Sequence, residues 1–227
     1  MGSLKAGIDE AGRGCVIGPL VMVALAVTQK QEQQLQWLGV KDSKLLSREA
    51  REEMFDRIHE IVEDFRIQII EPDAIDHALK DASLNLNWLE AETSAKMISE
   101  IRPSIVVVDC PSINIPAYKA YFESRLSEGV LTNMQVFMEH KADAKHPVVA
   151  AASIIAKVLR DRLIDHIKEE IGHDFGSGYM SDEKTQRFIK EHYATYPDIF
   201  RKEWKSYKNA VEAAKQRSMN DFFGGEE

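Results

Sequence analysis

The chain is poor in cysteine, has no long uncharged apolar run and carries no excess of positive charge. It contains 227 residues with only two cysteines and a formal net charge of -8. Two cysteines are too few for a disulfide framework, and we expect Cys15 and Cys110 to be small buried apolar residues. No uncharged run reaches the ~18 residues of a membrane span, and no secretory signal opens the chain. We therefore expect a soluble, cytoplasmic protein.

The acidic excess is confined to one part of the chain. Residues 49–100 contain 5 basic and 14 acidic side chains, a balance of -9, whereas residues 141–217 contain 15 and 12, a balance of +3. A locally basic surface is therefore possible despite the total charge. Nucleic acid is not excluded as a partner.

Apolar patterning predicts an α/β protein with a mixed sheet of about five strands flanked by helices. The predicted strands cover residues 4–10, 16–28, 66–71, 104–109 and 134–139. The predicted helices cover residues 47–64, 84–101, 115–126 and 148–171. The first two strands flank a glycine turn and predict a hairpin, and the later strands alternate with helices, which favours parallel neighbours.

We divide the chain into three parts. Residues 1–181 form the predicted catalytic domain, and residues 182–215 form a helical C-terminal region that packs on it. Residues 216–227 are expected to be a flexible tail.

Four acidic residues follow predicted strands. Asp9 and Glu10 close the first strand, Asp109 ends an apolar run, and Asp143 follows the fifth strand. Each alone could be a solvated strand end or a helix cap, but together they can converge at one edge of the sheet. Carboxylates without cysteine or histidine partners suit Mg²⁺ or Mn²⁺. Two such ions can activate water and stabilise the leaving oxygen of a phosphodiester.

Several strings resemble one family, ribonuclease HII in its archaeal form. They are Gly7-Ile-Asp-Glu-Ala-Gly-Arg-Gly14, Lys41-Asp-Ser-Lys44, Asp109 after its apolar strand, Lys141-Ala-Asp-Ala-Lys145, Ala150-Ala-Ala-Ser-Ile-Ile-Ala-Lys157 and Gly176-Ser-Gly-Tyr179. Their order agrees with the family, and the resemblance covers roughly residues 4 to 208.

The resemblance implies the ribonuclease H-like fold and hydrolysis of the RNA strand of RNA–DNA hybrids. It also implies incision 5′ to a single ribonucleotide in duplex DNA, with 3′-hydroxyl and 5′-phosphate products, by a protein that we expect to be a monomer. The four catalytic and metal-binding carboxylates of the family map onto Asp9, Glu10, Asp109 and Asp143.

The same resemblance implies how the substrate is recognised. RNA differs locally from DNA by the 2′-OH, which the turn Gly12-Arg13-Gly14 would contact while Tyr179 packs at the same sugar. Lys44, Lys157 and Arg160 are candidates for phosphate contacts. Without the resemblance, the glycines would be an ordinary hairpin turn, Tyr179 a loop aromatic and the basic residues a solvated surface.

The C-terminal string Gln216-Arg-Ser-Met-Asn-Asp-Phe-Phe223 resembles the motif that docks on the archaeal and eukaryotic sliding clamp, PCNA. Met219, Phe222 and Phe223 would form a one-turn apolar plug, and Gln216 would bind at the edge of the pocket. The alternative is a frayed tail whose phenylalanines fold back on the domain.

Two other functions compete with this interpretation. One is another ribonuclease H-like nuclease, such as ribonuclease HIII or a junction resolvase. The other is a non-catalytic nucleic-acid-binding adaptor of the replication machinery. An adaptor would not need four clustered carboxylates, because they repel a phosphate backbone unless a metal neutralises them.

Overall fold

The structure is a computed structural model that describes residues 3–41, 46–62 and 64–223, with side chains as far as Gln216. Lys44, predicted to contact phosphate, lies outside the described residues. So do the side chains of Met219, Phe222 and Phe223. Along the described ranges, no helix is long and apolar enough to cross a membrane.

A single mixed sheet organises the chain. Its strands are β1 (Lys5–Ala11), β2 (Leu20–Val27), β3 (Asp64–Ile70), β4 (Ile105–Asp109) and β5 (Gln135–Glu139). Their order is β3-β2-β1-β4-β5, with β2 antiparallel to β1 and with β4 and β5 parallel to β1. The predicted five-stranded sheet and its opening hairpin are confirmed, but β2 begins later than predicted and the connection spans residues 12–19, longer than a tight glycine turn.

The expectation of parallel neighbours is wrong for β3, which pairs with β2 in antiparallel register. Two helices, α1 (Gln29–Leu38) and α2 (Arg48–Ile61), connect these strands. This connection returns the chain to the end of the sheet at which β2 stops, so β3 runs against β2. The sequence analysis missed α1 because only Leu35 of this polar helix is buried.

The remaining helices follow the strands in chain order. They are α3 (Pro72–Lys80), α4 (Leu86–Ile101), α5 (Ile115–Arg125), α6 (Pro147–Ile171), α7 (Glu183–His192) and α8 (Lys205–Phe223). The helices α2, α4, α5 and α6 match predicted ones, and α3 is an addition. Pro147 at the first position of α6 fixes where this long helix begins, because proline needs no amide partner there.

The core lies on both faces of the sheet. On one, here called the α6 face, Val107 of β4 packs with Val148 and other small residues of α6. On the other, the α4 face, Val106 and Val108 of β4 pack with Ile98 of α4 and with α5. Alternate residues of one strand thus point to opposite faces, which fixes the side on which each strand-end acid lies.

The C-terminal region packs on the loop that joins β1 and β2. Ile17 and Phe200 pair as an isolated antiparallel bridge, and both belong to a third apolar cluster with Phe188 of α7 and Ile164 of α6. The backbone of α8 stays helical to Phe223, so the helix extends into the segment expected to be a flexible tail. The division of the chain at residues 181 and 215 stays a prediction.

Candidate active site

Two acids meet at the same end of neighbouring parallel strands. Ile8 of β1 pairs with Val108 of β4, so Asp9 and Asp109 are the next residues along their strands. Asp143 joins them from a short turn that follows β5. One carboxylate oxygen from each of the three residues lies within 4.8 Å of the others.

The turn that carries Asp143 is held against β4. Backbone N–H groups of Lys141, Ala142 and Asp143 lie near the carboxylate of Asp109 and act to lower its pKa. Lys141 adopts a left-handed backbone conformation, with φ of 57° and ψ of 41°. A non-glycine residue is strained in this region, and such strain persists where surrounding contacts impose it. The contacts to Asp109 fix the turn and thereby the position of Asp143.

A polar stripe on α6 supports the cluster from the side. Ser153, which is 1% exposed, hydrogen-bonds the carboxylate of Asp9. The ammonium group of Lys157, one helical turn further on, donates to the hydroxyl oxygen of Ser153 at 2.7 Å. Arg160 continues the same stripe, since positions three and four apart share a helix face. These contacts place positive charge near Asp9 and orient its carboxylate.

The electrostatics of the cluster favour a bound cation. Burial raises the pKa of Asp9 to about 7, and neighbouring Asp109 acts in the same direction. Burial and the charge of Asp143 likewise raise the pKa of Asp109. The carboxylates therefore resist being ionised together unless positive charge is added. Three hard oxygen donors fit Mg²⁺ or Mn²⁺, so the donor set and the predicted metals agree.

Glu10 lies outside this trio of carboxylates. Because it follows Asp9 on the same strand, its side chain turns to the α4 face, where it interacts with Arg13 and with Glu90 of α4. Desolvation raises the pKa of Glu10 well above its usual value, although the residue as a whole is half-buried, and Asp9 adds to the effect. The role of Glu10 as a metal ligand stays a prediction.

A groove of about 320 Å³ begins at Glu10 and contains most residues predicted to bind substrate. Those lining it are Gly12, Arg13, Gly14, Lys157, Arg160 and Tyr179, and Arg51 and Asp161 complete the wall. The groove brings together segments far apart in the sequence. We call it the substrate groove.

Gly12 and Gly178 allow close backbone contacts in the loops beside the substrate groove. Gly12 has φ of +84°, and a Cβ there would lie 2.8 Å from the carbonyl oxygen of Pro19. Gly178 has φ of +81°, and its Cβ would lie 2.9 Å from the carbonyl oxygen of Ile17. Only glycine tolerates both the conformation and the contact.

Arg160 braces the loop that carries Tyr179. Its Nη2 donates to the carbonyl oxygen of Ser177 at 2.6 Å and to the sulfur of Cys15 at 2.9 Å. The guanidinium lies 5.3 Å from the centre of the Tyr179 ring. Arg160 is buried, and its predicted phosphate contact stays a prediction. Cys15 and Cys110 are buried and free, as expected.

Sequence reasoning missed several residues that shape the site. Ser153 carried a usable signal, since it is a polar residue four positions before Lys157 within an apolar helix. Arg201 carried none, because it is far from the motifs in sequence. Its guanidinium nevertheless reaches the carbonyl oxygens of Gly12, Arg13 and Gly18.

Known proteins share both the sheet and its sequence. The ribonuclease H2 of Pyrococcus horikoshii OT3 superposes with a TM-score of 0.82 at 37% identity, covering 94% of this chain and 99% of that one. The carboxylate trio on a fold of this kind defines the class as ribonuclease H-like nucleases. A sequence profile of ribonuclease HII matches residues 6–207. The chain belongs to the ribonuclease HII family, and it is an endoribonuclease that acts on RNA–DNA hybrids.

Full-length relatives support this assignment. Ribonuclease HII of Archaeoglobus fulgidus is 43% identical, over 96% of this chain and all of that protein. The Pyrococcus furiosus enzyme is 39% identical, over 96% and 97% of the two chains. A Bst ribonuclease HIII solved with Mn²⁺ is less similar, at 26% identity and a TM-score of 0.75, and only 72% of its chain is covered. The alternative of ribonuclease HIII is thus not supported.

Proposed function

We propose that Asp9, Asp109 and Asp143 bind Mg²⁺ or Mn²⁺ and that the protein cuts 5′ to a ribonucleotide. The substrates would be RNA–DNA hybrids and duplex DNA with an embedded ribonucleotide, and the products would carry 3′-hydroxyl and 5′-phosphate ends. The observation that carries the proposal is the position of the carboxylate trio beside the substrate groove. The Mn²⁺ complex of a ribonuclease HIII supports the choice of metal.

Each acidic residue has a distinct part in this proposal. A bound divalent cation would supply Lewis-acid stabilisation of the charge that develops on the phosphate. Asp9, Asp109 and Asp143 would hold it with anionic oxygens, and Ser153 would keep the carboxylate of Asp9 turned toward it. Glu10, at the mouth of the substrate groove, is proposed as the fourth acid of the site.

The substrate groove is suited to reading the sugar. Gly14 lacks a side chain on the side that faces Tyr179, and a Cβ there would lie 3.7 Å from the ring. A nucleotide sugar could therefore lie across the turn and the adjoining ring, where a 2′-OH would meet backbone polar groups of Gly12-Arg13-Gly14. Lys157 and Arg51, at the groove wall, add positive charge for the phosphates. Lys44 is proposed as a further phosphate contact from its sequence alone.

We also infer that the C-terminus binds a sliding clamp. A ribonuclease HII of Archaeoglobus fulgidus has been solved as a complex with PCNA, and it is 42% identical to this chain with a TM-score of 0.79. Here the helix α8 carries Gln216, exposed, toward the end of the described chain, and Met219, Phe222 and Phe223 follow. Tethering at the clamp would raise the local concentration of the enzyme on newly made DNA.

The protein is proposed to act as a monomer in the cytoplasm, where replicating DNA supplies its substrates. Mass measurement by light scattering at micromolar concentration should give one chain of 25.7 kDa. A stable dimer would contradict the monomer.

A cleavage assay tests the proposed function. We would incubate the enzyme with a duplex that has one ribonucleotide, with the same duplex made wholly of DNA, and with an RNA–DNA hybrid. Each reaction is run with Mg²⁺, with Mn²⁺ and with excess chelator. We expect metal-dependent cutting of the first and third substrates only, and ligation of the 5′ fragment should show a 3′-hydroxyl. Cutting of the all-DNA duplex or cutting without metal would refute the proposal.

A further inference from the structure

A buried arginine, Arg201, hydrogen-bonds the backbone of the turn Gly12-Arg13-Gly14, which lines the substrate groove. Arg201 is 0% exposed, and its Nη2 donates to the carbonyl oxygen of Gly12 at 2.7 Å. Its Nη1 donates to the carbonyl oxygen of Arg13 and its Nε to that of Gly18, each at 3.0 Å. One planar group therefore fixes three peptide planes around the turn. Lysine, with a single nitrogen, could not span the same three oxygens.

Arg201 is itself held firmly. Its backbone N–H donates to the carbonyl oxygen of Val16 at 2.9 Å. The next two backbone N–H groups, of Lys202 and Glu203, donate to the buried carboxylate of Asp76 at 2.7 and 2.9 Å. On the other side, the guanidinium lies 5.3 Å from the centre of the Trp204 ring. The backbone segment that carries Arg201 is therefore fixed by hydrogen bonds on both sides of its contact with the turn.

The burial of Arg201 does not remove its charge. Burial lowers the pKa of Arg201 to about 10, which still leaves the guanidinium protonated at neutral pH. A charged donor makes stronger hydrogen bonds to carbonyl oxygens than a neutral one. The three hydrogen bonds therefore keep a charged donor at neutral pH.

The turn is also held from the opposite side, through the side chain of Arg13. Its Nη2 donates to the amide oxygen of Asn87 at 2.7 Å, and its Nε lies 3.0 Å from the carboxylate of Glu90. Both partners belong to α4. The side chain of Arg13 is therefore turned toward α4, so the turn presents mainly its backbone to the substrate groove.

We infer that Arg201 is a positioning residue: it holds the turn in the geometry that distinguishes a ribonucleotide from a deoxyribonucleotide. Asn87 and Glu90 would hold the same turn through the side chain of Arg13. This inference rests on the proposed function, in which the turn meets the 2′-OH. A hydrogen bond to one hydroxyl depends steeply on geometry, so a turn that is fixed before binding discriminates better than one that must be ordered. Arg201 touches no substrate in this account and acts through the turn.

The test measures how well the protein distinguishes the two duplexes, as the Kd for the all-DNA duplex divided by the Kd for the duplex with one ribonucleotide. We would measure by fluorescence anisotropy the Kd for a duplex with one ribonucleotide and for the same duplex made wholly of DNA. The buffer contains Ca²⁺, under conditions in which no cut product forms during the measurement. A loss of folded protein changes both Kd values by the same factor, so their ratio reports on recognition and not on stability.

We expect Arg201→Lys to lower this ratio by roughly tenfold, which corresponds to about one hydrogen bond, while the Kd for the all-DNA duplex stays the same. The matched control is Arg162→Lys, an exposed arginine of α6 paired with Glu52, which should keep the wild-type ratio. If the wild type discriminates between the two duplexes and Arg201→Lys has the same ratio, the inference is overturned. A wild-type ratio of one would instead refute the proposed recognition by the turn.

A second variant decides the matter if Arg201→Lys does not fold. Asn87→Ala removes a half-buried partner of the Arg13 side chain and leaves the core intact. We expect a lower ratio with the melting temperature of the wild type. If Asn87→Ala discriminates as well as the wild type, the turn does not depend on these contacts and the inference fails.

Discussion

Asp9 and Asp109 lie side by side because the residues before them, Ile8 and Val108, are paired in parallel register. Both side chains point to the α6 face, where Asp143 completes the trio. Parallel pairing of the two strands is thus what brings acids 100 positions apart into one carboxylate cluster. The support of that site by α6 leads to the first prediction.

Ser153→Ala should lower metal-dependent cleavage by roughly 10–100-fold, as expected for loss of a group that orients a metal ligand. The variant removes the hydrogen bond to Asp9 and the partner of Lys157. Cleavage rates over a range of Mg²⁺ concentrations would measure this. Ser94→Ala is the control, since Ser94 is buried on α4 at the opposite face of the sheet. Equal rates in Ser153→Ala and the wild type would show that Asp9 needs no such support.

Tyr179→Ala should impair cutting at an isolated ribonucleotide more than cutting of a continuous hybrid, in which many alternative sites are available. The ring is partly exposed at the substrate groove and rests on the guanidinium of Arg160. Tyr179→Phe keeps the ring and should retain most of the sugar packing, so it separates packing from any contact of the hydroxyl. The measurement is kcat/KM on both substrates. Losses of the same size on both would argue against recognition by Tyr179.

Deletion of residues 216–227 should abolish binding to a sliding clamp and leave cleavage of free oligonucleotides nearly unchanged. The deletion removes all four residues assigned to the clamp. They all follow Tyr179, the last residue of the chain that lines the substrate groove, by more than thirty positions. Titration calorimetry with an archaeal clamp would measure the binding. Deleting only residues 224–227 is the matched control and should preserve it. Wild-type affinity in the longer deletion would exclude the tail as the tether.

Asp182→Ala should destabilise the fold by about 1 kcal/mol at pH 7, as loss of a helix N-cap does. Asp182 accepts hydrogen bonds from the backbone of Ser177 at 2.7 Å and of Lys184 at 2.9 Å. The contacts with Ser177 lower the pKa of Asp182 below its usual value. A depressed pKa stabilises the folded state above the unfolded pKa of about 3.9, and this contribution is lost as the pH falls below that value.

The difference between Asp182→Ala and the wild type should therefore shrink between pH 7 and pH 3. Denaturant unfolding at both values would show it. Asp198→Ala, at an almost fully exposed carboxylate, is the control and should unfold like the wild type at either pH. A difference that grows in acid would contradict the assigned direction.

The sequence was informative where a pattern is local. Periodicity located the buried strand that ends at Asp109 and the long helix α6, and strand ends predicted the acids of the carboxylate trio. It did not locate the polar helix α1, which has one buried residue, and it could not show that β3 pairs with the antiparallel strand β2. Contacts such as those of Arg201 with Gly12 join residues 189 positions apart, and only the folded chain reveals them.

The most direct test of the central claim is a Mn²⁺ titration of Asp109→Asn beside the wild type, with cleavage of a ribonucleotide-containing duplex measured on the same samples. Asn keeps the shape of the side chain and removes one anionic ligand, so the variant should fold. We expect weaker Mn²⁺ binding in calorimetry and a loss of cleavage larger than the roughly 10–100-fold typical of residues that only orient a ligand. Glu100→Gln, at an exposed acid of α4, should bind and cut like the wild type. If Asp109→Asn binds Mn²⁺ and cuts at nearly the wild-type rate, the three carboxylates are not the metal site of this enzyme.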